Sequence, residues 1–141
     1  MPALCDTNIL LALCYDRHIH HRAALAWLDG QNERTVVLCR MIQLSLLRLL
    51  SNVVVMAEDV CSQSQAWAIY DRVLADERFV FQTEPPNLEP ALRRLTQANT
   101  VSPHLWQDAY LAAFAMASGQ ELVSFDRGFQ SVAGLRLILL A

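Results

Sequence analysis

Short apolar runs alternate along this chain with longer segments of helical period, and several runs end on a residue suited to starting a helix. Leu4-Cys5 meets Asp6-Thr7-Asn8, after which Ile9 to Leu13 reads as a buried helix. His21 to Asp29 places Ala24, Leu25 and Leu28 on one face and stops at Gly30. Thr35 to Leu38 reads as a β-branched strand, and Met41 to Leu50 resumes helical spacing. Ser62 is placed to cap a helix through Trp67, Tyr70 and Leu74, and Phe79 to Phe81 reads as a strand. The prolines at 85 and 86 mark a turn before a helix over Leu88 to Gln97. Ser102-Pro103 offers a cap and a first-turn proline for a helix through Met116, closed by Gly119. A strand over Glu121 to Ser124, a turn at Asp126-Arg127-Gly128 and a terminal strand over Leu135 to Leu139 complete the chain. This alternation predicts an α/β fold, one domain over residues 1–141, with a mainly parallel central sheet and helices on both faces.

Composition supports a packed core. Of the 141 residues 54% are hydrophobic, with only 4 Gly and 5 Pro, which excludes a disordered, collagen-like or repeat chain. Eleven basic and fourteen acidic residues give a net charge of -3, so no global basic field holds a nucleic acid and any such contact must be local. Every basic residue is Arg; this suits bidentate phosphate contacts, and a G+C-rich coding sequence would produce the same bias. The first residues lack a basic n-region and meet Asp6, unlike a signal peptide. The longest apolar stretches, Ile9 to Cys14 and Val53 to Ala57, fall well short of the roughly 20 residues of a membrane helix. A soluble, cytoplasmic protein with no membrane contact is expected. Cys5, Cys14, Cys39 and Cys61 are isolated in apolar surroundings and read as reduced core thiols.

Ligands of a parallel sheet bind beyond the carboxyl ends of its strands, which gives weight to acids placed just after a strand. Asp6 and Asp126 stand there, while Asp108 opens an otherwise apolar stretch from Ala109 to Ala115. A buried carboxylate needs a cation, a donor or water, and one metal ion would serve all three. Clustered oxygen ligands suit Mg²⁺ or Mn²⁺, and phosphodiester hydrolysis is the chemistry such a site performs. Read singly, Asp6 and Asp126 are first a helix cap and a turn cap, each an ordinary use of Asp.

Three ordered segments, Leu4 to Leu13, Gln107 to Ala113 and Leu122 to Phe129, together with His18 to Trp27, resemble the PIN-domain nucleases, specifically the VapC-type toxins of bacterial toxin–antitoxin pairs. The resemblance spans essentially the whole chain. It implies a PIN-like three-layer domain that cleaves RNA, with Asp6, Asp108 and Asp126 as catalytic metal ligands. It also implies Mg²⁺ as cofactor with Mn²⁺ able to substitute, a homodimer, and a small antitoxin that obstructs the site. Family members commonly carry a fourth acid, a Glu in the helix after the second strand. Gln43 stands at that position here, and Cys39 to Leu50 holds no carboxylate. A Gln can accept a hydrogen bond from bound water, but it brings no charge and cannot act as a general base. The expectation is therefore weaker metal affinity and slower hydrolysis on an intact fold. The alternative is a catalytically weakened module that binds RNA or its antitoxin without efficient cleavage.

Thr7, Asn8 and Ser124 adjoin the acids and are candidates to orient carboxylates or water, while Thr7 and Asn8 are equally candidates for helix capping. Arg127 could meet a substrate phosphate or simply be solvated. His18, His20 and His21 lack the second ligand pair of a zinc site, which leaves a helix-entry or interface role. His104 reads first as a plain surface residue and second as a neighbour of Asp108 on one helix face. Trp27, Trp67 and Trp106 read first as core or interface residues and second as base-stacking surfaces. A phosphatase using Asp6 as nucleophile is disfavoured, since no second Asp follows closely and the chain has no Lys.

Overall fold

Strand β1 (Ala3–Cys5) is buried at every residue, as is β2 (Val36–Leu38), and such all-apolar strands suit only the interior of a sheet covered on both sides. In the computed structural model, which describes residues 1–98 and 101–141, they are joined by β3 (Phe79–Phe81), β4 (Glu121–Ser124) and β5 (Leu137–Leu139). The strand order is β3-β2-β1-β4-β5 and every pairing is parallel. Cys5 pairs with Val123, a register that brings Asp6 alongside Ser124.

Helices α1 (Thr7–Cys14) and α2 (His21–Asp29) connect β1 to β2, and α3 (Arg40–Leu50), α4 (Val53–Met56) and α5 (Gln63–Ala75) connect β2 to β3. Helices α6 (Leu88–Leu95) and α7 (Leu105–Ala117) then carry the chain back past β1 to β4. The first two crossovers step one way across the sheet and the third steps the other. Right-handed crossovers therefore put α1 to α5 on one face and the α6–α7 pair on the opposite face. Ala112, Ala113 and Ala115 of α7 are fully buried, and side chains this small let the helix lie close to β1 and β4. The strand order reverses at β1, so the crevice beyond the carboxyl ends of β1 and β4 is where this topology opens a ligand site.

The expected α/β architecture and all five strands are present, with local differences. Thr35 is outside β2, because its amide and hydroxyl turn back to the Asn32 carbonyl. The last strand begins at Leu137, since the Leu135 amide is engaged by Val132. Ser62 caps α5 with a complete capping box through Gln65, as its position predicts. Ser102 does not cap α7; the helix starts at Leu105 behind His104, with no side-chain cap. Helix α6 stops at Leu95, where the Thr96 hydroxyl bonds to the Leu92 carbonyl, two residues short of the expected end. Helix α4 has no counterpart in the sequence reading. All four cysteines are free, with Cys5 and Cys39 buried. No single helix among the described residues is long and apolar enough to cross a membrane.

Candidate metal centre

Asp6 ends β1 and caps α1, a junction that needs an acceptor for the first free amides of the helix. Its Oδ1 accepts from the Thr7 amide at 2.7 Å, and its Oδ2 accepts from the Ser124 hydroxyl at 2.6 Å. The fully buried Ser124 oxygen accepts in turn from the Asp126 amide at 2.9 Å. Asn8 spans the same junction, donating to Ser124 Oγ and accepting from the Phe125 amide, each at 3.4 Å. Asp126 Oδ1 accepts from the Gly128 amide at 2.8 Å, and a Cβ at residue 128 would lie 3.1 Å from that oxygen. Glycine there keeps the carboxylate free of a neighbouring side chain. Asp108 enters from the opposite helical layer, in the first turn of α7.

The three carboxylates line one pocket of about 280 Å³, with Thr7, Asn8, His18 and the α3 residues Met41, Ser45 and Arg48 on its other walls. Burial pushes the Asp6 carboxyl above its ordinary range; the charges of Asp108 and Asp126 push the same way, against the hydrogen bonds from Ser124 and Thr7. Asp108 is raised by burial first and by Asp126 second, with His104 opposing. Among the described residues no three acid, His or Cys side chains close directly on a common point. An open, oxygen-lined pocket whose carboxylates repel one another fits a hard ion that keeps part of its water shell, and does not fit a dry tetrahedral cage.

Sequence reasoning placed Gln43 with the acids; the structure does not. Gln43 is buried on another face of α3, where its Oε1 accepts from Arg40 and its amide lies beside the buried Tyr70 hydroxyl. Residues 41, 45 and 48 face the pocket, and a position two residues from Met41 or Ser45 lies about 200° around the helix from them. Arg127 lies in solvent and outside the pocket lining. His18 lines the pocket although sequence reasoning left it out of the site, as it did Ser45 and Arg48. Its Nδ1 accepts from the His20 amide at 3.1 Å, so the ring proton of the neutral form resides on Nε2. Burial first, then His20 and His21, hold its pKa below the usual value. His20 stacks on Phe125 at 4.5 Å between ring centroids, and His21 Nδ1 lies 2.7 Å from the Ala12 carbonyl, so these two secure the α1–α2 connection.

The PIN domain family model matches residues 3–135. The chain is 46% identical over 143 residues to Ribonuclease VapC41 of Mycobacterium tuberculosis, covering 98% of each. Its fold is similar to VapBC2 from Rickettsia felis bound to a DNA fragment from their promoter, with a TM-score of 0.71 at 15% identity and full coverage of both chains (100%). It is also similar to Mycobacterium tuberculosis VapC20, a Sarcin-Ricin loop cleaving toxin, with a TM-score of 0.67 at 16% identity over 94% of this chain and 95% of that one. Helices on both faces of a five-stranded parallel sheet, carboxylates gathered where the strand order reverses, and this match along nearly the whole length together place the chain in the PIN-domain family, on its VapC branch.

Proposed function

We propose that this chain is a metal-dependent endoribonuclease, the toxin of a toxin–antitoxin pair, with Mg²⁺ as its ion and Mn²⁺ able to substitute. The observation that carries the reading is the convergence of Asp6, Asp108 and Asp126 from three separate chain segments on one pocket. PIN-domain ribonucleases depend on a metal ion. Such an ion, when bound, supplies an activated water and offsets charge on the phosphoryl oxygens.

In this assignment the three carboxylates hold the ion and Ser124 orients two of them, donating to Asp6 while accepting from the Asp126 backbone. Thr7 and Asn8 fix the β1–α1 and β4 junctions. His18 presents Nε2–H as a donor toward a phosphoryl oxygen. RNA is the substrate class, supported by the ribonuclease relative. A small antitoxin as partner is supported by the two-protein VapBC2 neighbour. A homodimer is supported by the exposed apolar side chains of Leu44, Val53, Val54 and Val55 on adjoining helices. Residues 1–141 act as one domain in the cytoplasm.

A second reading, a module that binds RNA with little cleavage, is favoured by one observation: α3 turns Met41, Ser45 and Arg48 toward the acids and no carboxylate. Cleavage of a structured-RNA panel by purified protein in Mg²⁺, Mn²⁺ and EDTA separates the two. The proposed function requires cutting that needs the ion and is lost in Asp6→Asn. RNA left intact under every ion condition, yet bound, favours the second reading.

A further inference from the structure

The acid pocket continues along α3 into a larger depression of about 640 Å³, and the two share Met41, Ser45, Arg48 and Gln107. That volume lies within the roughly 300–1,000 Å³ of pockets that bury small organic ligands. Its far walls carry flat and cationic groups: Arg40 at the start of α3, Phe81 at the end of β3 and Tyr110 on α7. The Arg40 guanidinium lies over the Phe81 ring, 4.9 Å from its centroid, and also donates to Gln43 Oε1. One face of the guanidinium is thus fixed on the ring and the group is held as a plate. The Tyr110 hydroxyl donates to Glu84 Oε1 at 3.0 Å, which anchors the second ring and engages the one carboxylate lining this depression. Arg48 differs from Arg40. Among the described residues it makes no side-chain hydrogen bond or ion pair, although it stands on the wall common to both depressions.

Unpaired nucleotides are recognised by guanidinium or aromatic planes that stack on the base and by cations that hold the backbone phosphate. We propose that the larger depression seats the nucleotide adjoining the scissile phosphate of a single-stranded RNA segment, with Arg48 on the backbone phosphate and the base against the Arg40–Phe81 stack and Tyr110. The assignment rests on the ribonuclease reading above. Two guanidiniums against one engaged carboxylate favour an anionic occupant over a basic peptide segment. With a net charge of -3 the chain has no general attraction for RNA, so local arginines must supply it. Planarity and charge also separate the two arginines by role: Arg40→Lys keeps the charge and loses the plate, while Arg48→Ala removes the phosphate contact.

The test is binding of fluorescein-labelled RNA hexamers, one of each homopolymer, to the full chain in Ca²⁺ buffer, with the recovered RNA checked intact on a gel. Both substituted residues are solvent-exposed, and thermal melts verify that the variants are folded. Arg48→Ala is expected to weaken every hexamer alike, by roughly 10- to 100-fold, as for loss of a charge-assisted hydrogen bond. Arg40→Lys is expected to weaken binding by about 5-fold or more and to compress the differences among the four sequences, as loss of a stacking plane does. Unchanged affinity in both variants overturns the assignment and leaves the groove to a protein segment. Uniform loss in Arg40→Lys, with the base preference kept, overturns the base-seating role. The readout is binding, so wild-type protein that binds RNA through these arginines but cuts none would refute the nuclease reading and retain the subsite.

Discussion

Asp6 joins the end of a strand, the start of a helix and the wall of the acid pocket, and its burial sets it against its own charge. Its folded-state pKa is raised from 3.8, so stability associated with the protonated form is fully present below 3.8 and is lost as pH rises through the raised value. Asp6→Asn should therefore melt above wild type in metal-free buffer at neutral pH, and the gap should close as pH falls below 3.8. A melt series across pH in EDTA checks this; a gap that widens in acid contradicts it. The same variant should lose more than about 100-fold in RNA cleavage, beyond what loss of an outer partner of a metal site brings. Ser124→Ala, removing such a partner, should lose roughly 10- to 100-fold in cleavage rate with the fold retained. For Gln43→Glu the new carboxylate would sit beside Arg40 and away from the pocket, so Mn²⁺ affinity by calorimetry should change less than about threefold, ~0.6 kcal/mol. A tenfold gain would place residue 43 with the acids after all. Asp6, Asp108 and Asp126 were legible as a group because strand ends and an acid in an apolar helix leave a mark in the sequence. The part played by His18 was not: a loop histidine joins the site only through the turn that its Nδ1 bond to His20 makes.

At the scale of elements, Arg78 ties the turn before β3 to the end of α2. Its Nε and Nη2 donate to the two oxygens of Asp76 at 3.0 and 2.7 Å, and its Nη1 donates to the Leu28 carbonyl at 3.1 Å. The Arg78 side chain holds the Asp76 carboxyl below its ordinary range. The stability this gives is present above 3.8 and is lost as pH falls through the lowered value. The pair is partly exposed and solvent screens it, so Asp76→Asn should destabilise the fold by about 1 kcal/mol at neutral pH. Denaturant melts should show that difference vanish at strongly acid pH; a constant difference would assign the effect to packing. Buried strands and long periodic helices were readable, because uniform burial selects a distinct composition. Helix α4 was not, since three consecutive valines favour a strand; they are exposed, and the Asn52 cap and the buried Met56 hold the turn as a helix. The helical phase of α3 was equally hidden: Gln43 and Ser45 lie two residues apart and nearly opposite on the helix, and only the packed structure decides which faces the acids.

For the whole molecule, the sheet reversal at β1 gathers acids from positions 6, 108 and 126, so the site exists only when the chain is folded. An ion that binds the folded state alone stabilises it by about 2.7 kcal/mol at a hundred times its Kd. Saturating Mg²⁺ should accordingly raise the melting temperature of wild type by roughly 6–12 °C, and EDTA should reverse the shift. The overall architecture was legible from the strand–helix alternation alone, whereas the joining of acid pocket and nucleotide groove was not, because it depends on how α3 and α7 meet across the strand ends. If three carboxylates from distant segments hold one ion, each of them must contribute to its affinity. The most direct measurement is Mn²⁺ binding followed by electron paramagnetic resonance for wild type and for Asp6→Asn, Asp108→Asn and Asp126→Asn. Saturable binding in wild type that weakens at least about tenfold, ~1.4 kcal/mol, in each of the three variants is the predicted result. Binding of equal strength in wild type and all three variants would place the ion away from these carboxylates.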